Sequence, residues 1–279
     1  MAPEAMTSPF GLSMDLRGRV AVITGTSQGI GRAIALDLGA RGATAVCTSR
    51  NLVAAEACAA EIRSLGGEGL ALPVDVREEE SILALADQID QRFNAVDILV
   101  NNAGISELAS VETSSREGWN DVIATNLTGP YLCTKYLAPM LGRSGRGSII
   151  NIGSILGYVC ARDVASYSVS KAGLHHLTKQ TALDLASTNI RANCIAPGFV
   201  RTEMFEENNS ETLRKRIPFL QAVPRIGRPE EIAYTVSFLA SDLASFITGA
   251  IILVDGGLTA QFGFGAITQA GVGEFAVGE

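Results

Sequence analysis

The sequence predicts a doubly wound, Rossmann-type α/β fold: one parallel β-sheet with helices on both faces, in a single domain. Three observations carry this. Apolar runs of four to six residues alternate with longer helical segments, the pattern of buried parallel strands joined by helical crossovers. A glycine-rich turn, Thr24-Gly25-Thr26-Ser27-Gln28-Gly29-Ile30-Gly31, lies directly between the first apolar run and the first helix. No linker or internal repeat beyond the βα alternation divides the 279 residues.

The elements follow in order. Residues 1–18 read as a loose leader, and Arg19–Thr24 as the first strand. The first helix runs from about Ile30 to Arg41. Ala43–Thr48 is the second strand, and Leu52–Leu65 an alanine-rich helix ended by Gly66-Gly67. Gly69–Val74 is the third strand, followed by a helix over Glu78–Phe93 with acidic residues in its first turn, where they suit the helix dipole. Asp97–Val100 is the fourth strand and Trp119 to Leu141 one long helical stretch. Ser148–Ile152, Arg191–Ala196 and Ile251–Val254 complete the strands, with helices over Ser166–Ser187 and Pro229–Ala240. Two segments break the rhythm. Residues 199–228, with Asn208-Asn209 and two internal prolines, read as a loop or a small lid of helices. Residues 259–279 read as a glycine-rich tail that is either disordered or packed on another subunit.

Composition narrows the class. Hydrophobic residues at 47% and charged residues at 18% fit a folded globular core. A net charge of −7 speaks against a general nucleic-acid binder and gives no attraction to an anionic membrane. The five cysteines are scattered without a CxxC pair, and the only histidines, His175 and His176, point about 100° apart on a helix. The expectation is therefore free thiols in a reducing compartment and no metal site. No basic start followed by an apolar run opens the chain, and no stretch approaches the ~20 apolar residues of a membrane span, so a cytoplasmic location is expected.

The chemistry centres on Tyr167-Ser168-Val169-Ser170-Lys171, with Ser154 thirteen residues upstream. Residues four apart on a helix share a face. An ammonium beside a phenol favours the phenolate. At ~4 Å and an effective dielectric of ~20 the pair is worth roughly 4 kcal/mol as a ceiling, enough to bring a tyrosine towards neutral pH. At the other end, the glycine turn lets backbone approach a phosphate, and the helix start offers it free N–H groups.

These segments, taken together, resemble the short-chain dehydrogenase/reductase family over residues 15–258. Besides the GxxxGIG turn, the matching segments are Asp75-Val76 after the third strand, Asn101-Asn102-Ala103-Gly104 after the fourth, and Thr125-Asn126-Leu127. Ser154, Tyr167 and Lys171 follow, then Pro197-Gly198, Thr202 and Val254-Asp255-Gly256-Gly257. The resemblance implies a nicotinamide cofactor. Gly25, Ser27, Gln28, Ile30 and Gly31 would line its pyrophosphate and ribose, and Asp75 and Val76 its adenine. Asn102, Ala103 and Gly104 would pack on the adenosine ribose side. Pro197, Gly198, Val200 and Thr202 would hold the nicotinamide. Asn101 is read instead as a bridge between neighbouring strands.

The choice between NADP(H) and NAD(H) falls at the end of the second strand, where a carboxylate would select the ribose 2′-hydroxyl and an arginine the 2′-phosphate. Here Ser49 holds the acidic position and Arg50 follows, which points to NADP(H), with NAD(H) second. The further basic residue many NADP-preferring relatives carry is Gln28 in this chain.

The implied reaction is hydride transfer between nicotinamide and a carbonyl or secondary alcohol. Tyr167 would be the general acid and base, and Ser154 would hydrogen-bond the reacting oxygen. Lys171 would lower the Tyr167 pKa and bond the nicotinamide ribose, and Asn126 would hold a water linking Lys171 to solvent. A catalytically silent nucleotide-binding protein is the alternative of a different class, and the intact set argues against it. Candidate substrate walls are Ile155, Leu156, Tyr158, Val159, Cys160, Phe199, Met204 and Phe205. Arg162 and Asp163 either bind a polar group or face water. The pattern is similar to 3-oxoacyl-carrier-protein reductases, sugar or polyol dehydrogenases and tropinone-reductase-like enzymes. Where carrier-docking relatives carry an arginine before the sixth strand this chain has Thr188, which argues against a dedicated carrier protein. The resemblance also implies a homotetramer or homodimer paired through the long helices and the last helix and strand.

Overall fold

A computed structural model describes residues 14–260. Seven parallel strands, β1 (Val20–Thr24), β2 (Thr44–Ser49), β3 (Glu68–Pro73), β4 (Ile98–Asn101), β5 (Ser148–Ile152), β6 (Arg191–Pro197) and β7 (Ile251–Val254), form one sheet in the order β3-β2-β1-β4-β5-β6-β7. The order reverses between β1 and β4, where Val22 pairs with Leu99. In such sheets the crevice beyond the strands' carboxyl ends at the reversal is the natural ligand site.

Strand side chains alternate between the two faces, so each strand feeds two cores. Ala21, Ile23, Ala45 and Cys47 meet Ile34 and Leu38 of α1 (Gly29–Ala40), Ile62 of α2 (Leu52–Ser64) and Val236 of α9 (Pro229–Ala240). Val22, Val46 and Leu99 face the other way. They meet Ile82, Leu85 and Ile89 of α3 (Glu79–Arg92) and Leu137 and Leu141 of α5 (Gly129–Ser144), with Ala182 of α6 (Ala165–Asp184). Each fully buried Leu or Ile contributes about 1.5–3 kcal/mol of transfer free energy.

Two differences from the sequence expectation matter. The leader expected over 1–18 is fixed from its end: Leu16 is fully buried, and its N–H donates to the Arg41 carbonyl at 2.9 Å. The glycine-rich tail lies outside the described residues from 261 on. The helix expected over 119–141 is two helices. It begins earlier, with α4 (Arg116–Ile123) capped by Ser115, whose Oγ accepts the Gly118 N–H at 2.9 Å. A π-helical turn over Ala124–Thr128 then joins α4 to α5, with the Gly129 N–H reaching back five residues to the Ala124 carbonyl. The extra residue per turn leaves no mark on apolar periodicity, so the sequence does not announce it. The lid segment contains α7 (Glu203–Asn208) and α8 (Glu211–Arg216).

α1 and α2 approach closely because Gly39 faces Ile62: a Cβ on Gly39 would stand 2.6 Å from Ile62 Cγ2. Gly39→Ala is therefore expected to destabilise the fold by about 1–3 kcal/mol through overpacking. In an Ile62→Ala background that penalty should vanish. A urea-unfolding double-mutant cycle checks it, and additive effects would refute the contact.

Candidate active site

A cleft of about 810 Å³ opens over the carboxyl ends of β1, β4, β5 and β6. It gathers every catalytic and cofactor-binding residue expected from the sequence except Asn126. Gly25, Ser27, Gln28, Ile30 and Gly31 line one part, with Ser49, Arg50, Asp75 and Val76 beside them. Asn102, Ala103 and Gly104 lie between, and Ser154, Tyr167, Lys171, Pro197, Gly198, Val200 and Thr202 line the rest.

The glycine turn is built for a phosphate. Gly25 has φ +72°, a left-handed conformation glycine adopts without strain. A Cβ on Gly31 would strike the Gly25 carbonyl. α1 begins with no side-chain cap from Gln28, so its first N–H groups are open to an anion. Asn102 lines the cleft but spends its amide elsewhere. Its Nδ2 donates to the Thr24 carbonyl (2.9 Å) and the Gly25 carbonyl (3.0 Å), propping the turn against β4. Where the adenosine is expected, Arg50 is exposed and forms no ion pair among the described residues. Arg77, not anticipated from the sequence, lines the same end and pairs with Asp75 at 2.7 Å. That hydrogen-bonded guanidinium holds the Asp75 carboxyl below its ordinary pKa. Its signal was only a cation two residues after Asp75.

At the catalytic end, Ser154 follows β5 and Tyr167 and Lys171 share a face of α6. Ser154 and Lys171 are buried and Tyr167 is partly buried. Burial holds the Tyr167 phenol above the ordinary tyrosine value, with the Ser154 hydroxyl pulling it down. The expected lowering by Lys171 is absent for a geometric reason. Lys171 Nζ stands 5.5 Å from the Tyr167 ring centroid and donates to the Ile152 carbonyl at 2.8 Å. Burial lowers the Lys171 pKa to about 8, which still leaves it mostly cationic near neutral pH.

Asn126 sits behind the cleft, fully buried on the π-helical turn. Its Oδ1 accepts the Ile105 N–H (2.9 Å), and its Nδ2 donates to the Ile105 carbonyl (2.9 Å) and to Ser170 Oγ (3.1 Å). Ser170 in turn donates to the Tyr167 carbonyl at 2.7 Å. Both amide hydrogens of Asn126 are therefore engaged. The side chain is first a clamp between the β4 loop and α6, and a water could share only its Oδ1. Ser170 was missed in the sequence; its signal was a small polar residue three positions after Tyr167.

Asn101, read as a strand bridge, donates to Asn151 Oδ1 at 2.8 Å across β4 and β5. Thr202 lines the cleft while its hydroxyl accepts the Phe205 N–H at 3.1 Å, starting α7. Of the expected substrate walls, Ile155, Leu156, Phe199, Met204 and Phe205 line the cleft. Tyr158, Val159 and Cys160 do not. A short 3₁₀ turn over Ile155–Gly157 carries them outward, and the Tyr158 ring meets His175 with centroids 4.9 Å apart. Arg162 lines the cleft and Asp163 does not.

His175 is the other residue the sequence left unassigned. It lies buried beneath the Ser154 segment, and its Nε2 has no hydrogen-bond partner among the described residues. Only glycine fits above it. A Cβ on Gly153 would stand 2.7 Å from Nε2, and one on Gly157 would also strike the ring. Burial first, then Lys171 and Lys179, depress its pKa to about 4. A depressed imidazole pKa means the unfolded chain binds more protons between roughly pH 6.5 and 4, so stability falls as pH drops through that window. His175→Asn should flatten this acid limb by on the order of 2 kcal/mol in pH-dependent unfolding. An unchanged limb would show that His175 protonates without cost.

With this geometry in place, comparison with known proteins is direct. Residues 25–259 match the family model described as Enoyl-(Acyl carrier protein) reductase. The chain is 41% identical over 247 residues to a 3-oxoacyl-[acyl-carrier-protein] reductase of Synechocystis, covering 87% of this chain and 98% of that protein. It is also 41% identical over 243 residues to a cis-4-hydroxycyclohexanecarboxylate dehydrogenase of Sinomonas cyclohexanicum, covering 87% and 97%. A crystal structure of gluconate 5-dehydrogenase from Burkholderia cenocepacia, in complex with NADP and tartrate, superposes with a TM-score of 0.86 at 32% identity, covering 89% and 98%. The chain belongs to the short-chain dehydrogenase/reductase family, oxidoreductases that act on CH–OH and C=O groups.

Proposed function

We propose that the chain interconverts a ketone or aldehyde and an alcohol with NADP(H), using Asn126, Ser154, Tyr167 and Lys171. The observation that carries this reading is one continuous cleft with an anion-receiving glycine turn at one end and Ser154, Tyr167 and Lys171 at the other. The residues present fit a dinucleotide. The uncapped start of α1 and the Gly25–Gly31 cradle suit a pyrophosphate, and the unpaired Arg50 suits a 2′-phosphate. Pro197, Gly198, Val200 and Thr202 line the same cleft and would hold the nicotinamide. Bound NADPH supplies the hydride that the carbonyl carbon receives.

The chain's own residues do the rest. Ser154 Oγ donates a hydrogen bond to the substrate oxygen and stabilises its developing charge. Tyr167 gives that oxygen a proton, and its raised pKa keeps the phenol protonated for the purpose. Lys171, held by the Ile152 carbonyl, keeps a positive charge near the phenolate left behind. Asn126 holds the β4 loop and α6 at a fixed separation.

The apolar walls Leu108, Ile155, Leu156, Met204 and Phe205 favour a substrate with a hydrocarbon part. Relatives named for a hydroxycyclohexanecarboxylate and a gluconate, and several named 3-oxoacyl-[acyl-carrier-protein] reductase, set the panel: 4-oxocyclohexanecarboxylate, its methyl ester, a keto sugar acid and an acetoacetyl thioester. The thioester is the second reading, supported by the relatives; Thr188 at the expected docking arginine speaks against a carrier.

A homotetramer or homodimer and a cytoplasmic location complete the proposal. Exposed Trp119, Tyr131, Val169 and Leu183 on α4, α5 and α6, and Phe246 and Leu253 near β7, support association. Among the described residues no helix is long and apolar enough to cross a membrane, and the scattered cysteines suit a reducing compartment.

Tyr167→Phe should lower kcat with NADPH and an active ketone by at least about 10³-fold, while NADPH fluorescence titration gives a nearly unchanged Kd. Retained turnover would remove Tyr167 from the acid–base role. Arg50→Ala should reduce the NADPH-over-NADH ratio of kcat/KM about tenfold or more, and an unchanged ratio would refute the 2′-phosphate assignment. Sedimentation should give a dimer or larger species; a monomer at micromolar concentration would overturn the assembly.

A further inference from the structure

The cleft holds a cation that the reaction does not use. Arg162 lines it with Ser154 and Tyr167, yet forms no hydrogen bond or ion pair with any described residue. The other cations of the cleft have assignments. Arg77 is tied to Asp75, Lys171 to the Ile152 carbonyl, and Arg50 lies at the adenosine end beside Ser49. Arg162 alone stands at the substrate end.

Its backbone is held in an unusual way. The next residue, Asp163, has φ +59°, one of two non-glycine residues with positive φ among those described. Aspartate tolerates this conformation better than most residues. The turn is pinned on its far side. Val164 bridges to Ala109, and the Ala165 N–H donates to the Ala109 carbonyl at 3.2 Å as α6 begins. Arg162 therefore sits on a fixed turn five residues ahead of Tyr167. Leu108 and Leu156 line the cleft with it, and Met204 faces in from the lid.

We propose that Arg162 is a substrate subsite for a carboxylate, so that the physiological substrate is a keto acid with an apolar spacer between the carbonyl and the acid. This rests on the carbonyl-reduction reading of the same site. A guanidinium offers a planar pair of donors that matches a carboxylate, and Arg162 is exposed, so an incoming acid can reach it. Leu108, Leu156 and Met204 suit the hydrocarbon spacer. The acid takes no part in the chemistry. Hydride arrives at the carbonyl carbon from NADPH, the proton comes from Tyr167 to the oxygen, and a hydroxy acid and NADP⁺ result. Glu203 and Glu207 line the cleft from α7. They repel a carboxylate placed beside them and so favour the Arg162 side.

The test compares 4-oxocyclohexanecarboxylate with its methyl ester, which removes the charge and keeps the spacer and the ketone. Wild-type kcat/KM should favour the acid about tenfold or more, the difference lying in KM. Arg162→Gln should erase that preference, and Arg162→Lys should restore part of it. Raising the salt to 0.5 M should shrink the acid's advantage, because an exposed pair is screened. Equal KM for acid and ester in the wild type would overturn the subsite. So would an Arg162→Gln effect of the same size on both, which would make Arg162 a residue that shapes the cleft rather than one that binds the acid. Turnover confined to the acetoacetyl thioester of pantetheine phosphate would overturn it too, with the phosphate as the anion recognised. NADPH oxidation by no ketone of the panel would instead overturn the carbonyl-reduction reading itself.

Discussion

Thr24 and Asn102 stand at the carboxyl ends of β1 and β4, where the two strands send their crossovers to opposite faces of the sheet. The crevice between them would open without a tie. Thr24 Oγ1 accepts the N–H groups of Asn102 and Ala103, each at 3.0 Å, and the Asn102 amide returns two hydrogen bonds to the Thr24 and Gly25 carbonyls. This one junction sets the distance between the glycine turn and the β4 loop. Buried polar groups that satisfy one another in this way are costly to break, which makes the junction rigid.

From that junction the constraint travels along the β4 loop. Ile105 is gripped at both its N–H and its carbonyl by Asn126, Asn126 holds Ser170, and Ser170 holds the Tyr167 carbonyl. The path links the nucleotide end of the cleft to the catalytic helix through hydrogen bonds, apart from the short backbone run between Asn102 and Ile105. The π-helical turn is what lets Asn126 point into this path. The same economy places titratable groups out of water. Lys171 falls to about 8 and His175 to about 4 because burial penalises their charged forms. His175 supports the Ser154 segment from below, while Lys171 serves the phenol from the side. Uncharged packing and a retained charge thus lie four residues apart on one helix.

The strands, the glycine turn and the Tyr167–Lys171 face were legible because each rests on local chemistry. A parallel strand buried on both faces must be apolar throughout, and a phosphate turn must be glycine-rich. Tyr167 and Lys171 share a face through helical spacing alone. What the sequence misplaced was decided by chain direction over a few residues. Tyr158, Val159 and Cys160 look like a continuation of the pocket wall, but a three-residue 3₁₀ turn carries them outward, with the Tyr158 ring against His175 of α6. The break at 124–128 is invisible to periodicity because a single widened turn shifts the helix face without changing residue type.

The sequence by itself determined the fold class, the place of the glycine-rich turn and the shared helix face of Tyr167 and Lys171, since these follow from burial pattern, backbone freedom and spacing along one element. Tertiary structure alone decided how those pieces are poised. It tied Lys171 to the Ile152 carbonyl rather than to the phenol, made Asn126 a clamp and left the Arg162 guanidinium unpaired in the cleft. Hydrogen-bond partners and desolvation come from residues distant in the chain, and no local pattern encodes which groups the folded chain will leave paired, buried or free.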